Sequence, residues 1–383
     1  MTLIVKVTAR SERVSLGRLL TAPLGLDVWE THPDHLVLRA PDAEVERIER
    51  MGFAVEQLHE TDSYVSTFAA PVTAEAAAPA VAGYHSAESM EADLRRLAED
   101  HPDIAQLVEI GRSLENRPIW ALRIGERRDS PTKALFLGCH HAREWISVEV
   151  PYLLAEDLLN RSGTNPVARW LQQGEIWVAP MVNPDGHEFT RTTDRLWRKN
   201  RRPNPGGSMG VDPNRNYGYM WGTLDVNTSS HVPSDETYVG PRAFSEPETR
   251  AVRDLMGVHR FRAVVTYHSY SQLILYPWGY TSDPIADPDD RSRMDQLGRR
   301  MQRAIRRVHN ETYTVQQASR LYPTAGDTTD WTFGEYDVPS FTVELRPRSQ
   351  AQGGFILPPS QIQPTFEENR PAAMEVLRTV FAA

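Results

Sequence analysis

Three side chains in two distant segments have the makings of a metal site. His141 and Glu144 lie three residues apart in His141-Ala142-Arg143-Glu144-Trp145, and His268 follows in His268-Ser269-Tyr270, 127 positions after His141. Two imidazoles and one carboxylate form an open zinc set, with a fourth position left for water, and the chemistry such a site performs is hydrolysis. A spacing of three brings both side chains to one side of a helical turn or a tight loop. His140 competes with His141, but only His141 has a carboxylate at that spacing. Taken singly, a His-x-x-Glu pair or a histidine at the end of an apolar run is more often a hydrogen-bonded structural group. Cys139 beside His140 also permits a Cys/His nucleophile, set against a small apolar residue at a strand end.

These residues need a scaffold that brings distant segments together. Ala134–Gly138, Ile176–Ala179, Ala263–Thr266 and Phe341–Val343 are short apolar runs, which suit buried strands of a largely parallel sheet. Between them lie helical patterns such as Val150–Leu159. The reading is an α/β fold, with ligands gathering at the carboxyl edge of the strands. His141 directly follows the first run, His268 ends the third, and Glu344 ends the fourth.

The chain divides into residues 1–65, 66–83 and 84–383. In the first part Leu3–Val7, Leu36–Ala40 and Phe53–Val55 read as strands and Ala43–Met51 as a helix, a small α+β domain. Residues 66–83 are rich in Ala, Pro and Val without periodicity and read as a linker. No Lys or Arg lies between Arg50 and Arg95, so trypsin would find no site there. Arg291–His309 carries Met294, Leu297, Met301, Ile305 and Val308 at helical spacing. It reads as a surface helix with a solvated basic face in preference to a membrane-surface helix.

Net charge is −9, which leaves no basic excess to neutralise nucleic-acid phosphate. One cysteine rules out an intrachain disulfide. No window of about 18 apolar residues exists to span a membrane. Met1–Lys6 is too short an apolar run for the core of a signal peptide, so the protein stays inside, leaves by another route, or is exported by a signal outside this sequence.

The intervening segments carry a resemblance. His141-Ala142-Arg143-Glu144-Trp145-Ile146-Ser147, Asn183-Pro184-Asp185-Gly186, Leu196-Trp197-Arg198-Lys199, Val211-Asp212-Pro213-Asn214-Arg215-Asn216, His268-Ser269-Tyr270-Ser271-Gln272-Leu273 and Phe341-Thr342-Val343-Glu344-Leu345-Arg346 occur in that order. Together they resemble the zinc metallocarboxypeptidases of the A/B type, over Tyr84 to Ala383, about four-fifths of the chain. Tyr322–Trp331 is similar to the bacterial broad-specificity branch typified by carboxypeptidase T. Residues 1–65 resemble the family's N-terminal pro-segment, an open-sandwich domain that covers the active site.

The resemblance implies one Zn2+ held by His141, Glu144 and His268, with Asp212 orienting His141. It implies Glu344 as the acid–base group and Arg198 facing the oxyanion. A free C-terminal carboxylate would be held by Asn214 and Arg215, under Tyr322, which lies eight positions before Asp330. Arg143 would sit further out, guiding the peptide. Thr329, just before the pocket aspartate Asp330, is neither apolar nor acidic, and Asp327 is close by, which implies a mixed preference for apolar and basic last residues. The implied partners are peptide or protein C-termini and the chain's own pro-segment as inhibitor; the implied location is extracellular. Two other readings use the same segments: an amidohydrolase acting on amino-acid conjugates or cell-wall peptides, and an inactive binding module. Arg143, Arg215 and Tyr322 oppose the first, and the intact metal set with Glu344 opposes the second.

Overall fold

The computed structural model describes residues 1–11, 14–69, 83–126 and 129–382. The N-terminal unit holds strands β1 (Thr2–Ala9), β2 (Asp27–Thr31), β3 (Leu36–Pro41) and β4 (Phe53–Glu60), with helices α1 (Leu16–Thr21), α2 (Asp42–Arg50) and α3 (Thr61–Phe68). Its sheet runs β2-β3-β1-β4, every pair antiparallel. One face of β1 sends Leu3, Val5 and Val7 into a core with Ile48 of α2 and Leu19 of α1. The other face sends Ile4 toward the larger unit. Alternation along one strand thus supplies both a core and a docking face.

The expected boundary at residue 65 falls inside α3. Tyr64 and Phe68 stand four apart on that helix and pack with tilted rings, centroids 5.1 Å apart, so the apolar contact carries the helix past the boundary. Residues 70–82 of the expected linker lie outside the described residues.

The larger unit adds strands β5 (Ala105–Arg112), β6 (Pro118–Ile124), β7 (Lys133–Gly138), β8 (Glu175–Ala179), β9 (Ala263–Ser269), β10 (Leu273–Tyr276), β11 (Thr314–Gln317) and β12 (Ser340–Leu345). Their order is β11-β10-β12-β9-β7-β8-β6-β5. The central four, β12-β9-β7-β8, are parallel. Antiparallel pairs join β10 to β12, β8 to β6 and β6 to β5, while β11 joins β10 in parallel, so the sheet is mixed and largely parallel, as expected. All four expected apolar runs are the central strands, buried on both faces as their uninterrupted patterns require.

Successive residues of β7 point to opposite cores. Ala134 and Phe136 pack among α4 (Ala87–Asp100), α5 (Ile146–Asn160), α6 (Val167–Gln173), α9 (Pro288–His309) and α11 (Ile362–Phe381). Leu135 and Leu137 pack against α8 (Pro247–Val258) and Trp331 of α10 (Thr328–Tyr336). A shorter helix, α7 (Pro184–Thr192), follows β8 and is capped by Asn183. The arginine-rich α9 buries Met294, Leu297, Met301 and Ile305, with α11 packed along it. Val308 is the exception at 41% exposure, the second-last residue of the helix. Among the described residues no helix is long and apolar enough to cross a membrane.

Because β7, β8, β9 and β12 are parallel, their carboxyl ends open on one edge. His141, Asn183, His268 and Glu344 all emerge there. Gly138 ends β7 where the Ser147 and Pro180 carbonyls press against it. A Cβ would collide with both, so glycine is what lets the chain turn into the His141 loop.

Candidate metal centre and active site

The β7–α5 connection turns tightly enough for the Glu144 amide to donate to the His141 carbonyl at 3.3 Å. That turn faces both side chains into one space. His268 arrives from β9, the neighbouring strand. His141 Nδ1 lies 2.8 Å from one Glu144 oxygen, and His268 Nδ1 lies 3.0 Å from the other and 3.1 Å from His141 Nδ1. The Ser269 amide donates to Glu144 at 3.1 Å and fixes the carboxylate. All three residues are buried.

Asp212 lies 3.1 Å from His141 Nε2. A carboxylate can only accept, so Nε2 carries the proton and Nδ1 turns its lone pair toward Glu144 and His268. Electron-rich atoms this close need positive charge among them. The ligand atoms of His141, Glu144 and His268 all lie within 4.8 Å of one another, and two nitrogens with one carboxylate oxygen suit Zn2+ in a site with one open position. Burial pushes the Glu144 carboxyl up, but the two imidazoles that face it, His141 and His268, hold it below its ordinary value. Burial likewise raises Asp212, and Arg198, His141 and Arg215 together bring it well below the carboxylate range.

His140 is not part of this group. Its ring lies 2.8 Å from the Tyr217 hydroxyl and 3.1 Å from Thr266 Oγ1, behind His268, with which it stacks at 5.5 Å. Burial drives it well below the ordinary histidine range, the neutral form a structural histidine takes. Cys139 is also fully buried, and burial raises its thiol well above the ordinary value, which removes the thiolate a nucleophile needs.

Glu344 is in parallel register with His268, one strand away. That register sets the carboxylate beside the metal group without any long-range loop. Burial raises Glu344 well above the carboxylate range, and Glu144 adds to this, opposed by Arg198 and Arg215. Arg198 places Nε and Nη2 both 2.9 Å from Asp212 Oδ2, so Asp212 ties the guanidinium to the histidine it orients.

Asn214, Arg215, Tyr322, Asp327, Thr329 and Glu344 line one cleft with His141 and His268. Asn214 Oδ1 accepts from the Thr328 amide at 2.9 Å and hydroxyl at 2.7 Å, which turns Nδ2 toward His268. Arg215 donates from Nε to the Thr228 carbonyl at 2.5 Å and from Nη1 to the Asn214 carbonyl at 2.7 Å. Tyr322 is half-buried, on the loop before α10.

The pocket aspartates have structural duties. Asp327 caps α10: Oδ1 accepts from the Asp330 amide at 2.9 Å and the Thr329 hydroxyl at 2.8 Å, and Oδ2 from the Thr324 hydroxyl at 3.0 Å. Asp330 lies behind the cleft, accepting from the Gly279 amide at 2.9 Å and the Tyr280 amide at 3.1 Å. Leu275, Ala318 and Leu321 give the cleft an apolar wall.

Arg143 lies outside this cleft, at the seam between the two units. Its Nη1 and Nη2 each donate at 2.8 Å to Asp27 of β2. Its guanidinium lies 4.1 Å from the Phe355 ring centroid and 5.6 Å from that of Trp29, whose Nε1 donates to the same Asp27 at 2.9 Å. Around them Ile4, Trp29, Val37 and Tyr64 of the N-terminal unit pack on Leu196, Tyr270, Phe355 and Ile356. Asp27 and Trp29 escaped the sequence reading. Alternating Asp-x-Trp is a weak strand signal, and nothing in it names Arg143 as partner.

A sequence profile described as zinc carboxypeptidase matches residues 90–372. Among curated proteins, a zinc carboxypeptidase of Simulium vittatum is 36% identical over 301 residues, 77% of this chain and 96% of that protein. A carboxypeptidase B of Astacus astacus is 37% identical over 292 residues, 74% of this chain and 93% of its own. Among solved structures, carboxypeptidase A from Helicoverpa armigera superposes with a TM-score of 0.84 at 28% identity, covering 100% of this chain and 98% of that one.

The geometry predicts one zinc per chain. Metal analysis after dialysis should return about one equivalent for the parent chain and under about a tenth for His268→Ala, since loss of one of three protein ligands leaves an incomplete site. Equal zinc in both would show that His268 is not a ligand.

Proposed function

The chain belongs to the zinc carboxypeptidase family, and on that premise we propose that it removes single residues from peptide C-termini, with apolar and basic last residues both accepted. The observation that carries the reading is one cleft lined together by His141 and His268 of the metal group, by Glu344, and by Asn214 and Arg215. An exopeptidase needs that pairing, because the scissile bond lies one residue from a free carboxylate. Arginine's planar fork binds such a carboxylate in a fixed direction.

Zinc held by His141, Glu144 and His268 supplies a Lewis acid that lowers the pKa of water and polarises a carbonyl. Glu344 takes a proton from the attacking water as its oxygen bonds the scissile carbonyl carbon. Arg198 faces the negative charge that develops on the carbonyl oxygen, worth about 3 kcal/mol for one fixed donor. Glu344 then returns the proton to the amide nitrogen as the C–N bond breaks, leaving a shortened peptide and one free amino acid. Tyr322 closes over the departing residue from the loop before α10.

The mixed preference rests on an apolar wall of Leu275, Ala318 and Leu321 facing Asp327. Three hydrogen bonds already engage Asp327, but a carboxylate has about four acceptor sites, which leaves one for the side chain of a Lys or Arg.

The N-terminal unit is read as an intramolecular inhibitor. Asp27 presents a carboxylate to Arg143, and Trp29 fills the space beside Phe355. Arg143 is 1% exposed while the unit is docked. Burying that cation without a partner would cost about 3–5 kcal/mol, so Asp27 is what permits docking. Burial raises the Asp27 carboxyl, but Arg143 outweighs it and brings the pKa to about 2. The contribution is therefore present above the ordinary carboxyl pKa and is lost only as pH falls through about 2, so mild acid leaves the unit docked.

Four outcomes test this reading. Glu344→Gln, with zinc retained, should lower kcat by at least about a thousandfold with KM little changed; unchanged turnover would contradict the base assignment. Blocked dipeptides ending in Phe, Leu and Arg should all be cleaved faster than one ending in Asp; strict preference for one class would sink the mixed pocket. The uncut chain should gain activity when a protease preferring small or apolar residues cuts within 66–83, where trypsin finds no site. Asp27→Asn should raise the activity of the uncut chain without cleavage; equal activity in all three forms would refute inhibition.

A further inference from the structure

We propose that Thr228 is a positioning residue that sets Arg215 and Tyr322 relative to one another; the inference rests on the clamp roles given to those two residues above. Thr228 sits in a tight turn, Val226–Ser229, closed by reciprocal backbone hydrogen bonds of 3.1 and 2.9 Å between its end residues. Its backbone carbonyl accepts from Arg215 Nε at 2.5 Å. Its hydroxyl donates to the Pro323 carbonyl, the residue directly after Tyr322. One side chain and one carbonyl of a single residue therefore hold both halves of the clamp.

The rest of the turn is anchored on both flanks. Ser229 Oγ accepts from the Ala325 amide at 3.0 Å, a second tie to the Tyr322 loop. Asn227, on the other side, accepts from the Leu24 and Leu26 amides at 2.8 and 3.3 Å and donates to the Leu19 carbonyl. Asn227, Thr228 and Ser229 are all buried. A short turn with this many fixed contacts has little freedom to relax, so a change at Thr228 is transmitted to its partners. The Thr324 amide is separately held by the Gly279 carbonyl at 3.0 Å. The hydroxyl of Thr228 thus bears on Tyr322 and Pro323, and the residues beyond have their own supports.

Thr228→Val keeps the shape, removes the hydroxyl and leaves the Pro323 carbonyl unpaired. Hydrogen exchange on the full-length chain should accelerate about tenfold at peptides covering 321–326 and stay unchanged across β9. Thr228→Ser, which retains the hydroxyl, should return exchange to the parent rate. After cleavage within 66–83, Thr228→Val should raise KM for a blocked dipeptide about tenfold with kcat within about twofold, the pattern of lost uniform binding. In a Tyr322→Ala background the same change should alter KM by less than about twofold. Unchanged exchange at 321–326, or acceleration spread evenly over the sheet, would overturn the proposal. So would a KM effect equal in both backgrounds. If the parent chain cleaves no blocked dipeptide, the clamp reading fails, and the exchange experiment alone decides whether Thr228 fixes the loop.

Discussion

The closeness of His141 Nδ1, His268 Nδ1 and the Glu144 carboxylate is the constraint on which the site depends. Atoms that present lone pairs to one another at 2.8–3.1 Å do not gather unaided. Packing enforces it. The strand pair β7–β9 sets His268 beside the turn after β7. Gly138 gives that turn room, and the Ser269 amide fixes Glu144. Asp212 completes the arrangement by accepting from the outer N–H of His141 and by holding Arg198 with its second oxygen. One buried carboxylate thereby orients both His141 of the candidate metal group and Arg198, the cation proposed to face developing negative charge.

The parallel centre of the sheet explains why so few loops are needed. Strands β12, β9, β7 and β8 end on one edge, and the register of β12 against β9 brings Glu344 level with His268. A one-residue slip would send Glu344 to the opposite face of the sheet. The register is held by Phe341, Val343 and Leu345, all buried in the core. Stability and chemistry therefore share the same strand, core residues alternating with the catalytic edge.

The contact between the two units follows the same logic of buried charge. Arg143 is enclosed by aromatic rings, and its charge is matched by Asp27 from β2. Apolar packing among Trp29, Tyr64, Tyr270 and Phe355 supplies area, and the ion pair supplies register. Removing the N-terminal unit returns Arg143 to solvent, where an unpaired guanidinium costs little. The seam is thus held by a pair that matters only while it is closed.

Much of the site was legible in residue order. The His-x-x-Glu pair, the distant His268, Asn214-Arg215 and Glu344 are carried by local strings. The four apolar runs announced the central strands, since strands buried on both faces have no polar alternation to disguise them. Other features were not legible. The outer strands β5, β6, β10 and β11 carry mixed patterns that only their pairing resolves, and α3 continues past residue 65 through its own apolar contact. Val308 matched the apolar spacing of α9 but lies exposed at the second-last position of the helix. His140 and His141 are adjacent with the same chemistry; what separates them is that Tyr217 and Thr266 hold one and Asp212 and Glu144 the other. Asp327 reads as a free pocket carboxylate in sequence, yet it caps a helix. Asp27 gains meaning through Arg143, 116 residues away, and Thr228 through Arg215 and Pro323, which lie on opposite sides of it in sequence. The sequence by itself determined which side chains could hold a metal, bind a carboxylate and move a proton, because those capacities belong to residue type and local spacing. Only the tertiary structure decided which of them converge, because convergence depends on strand register and on how buried charges are paired across the fold.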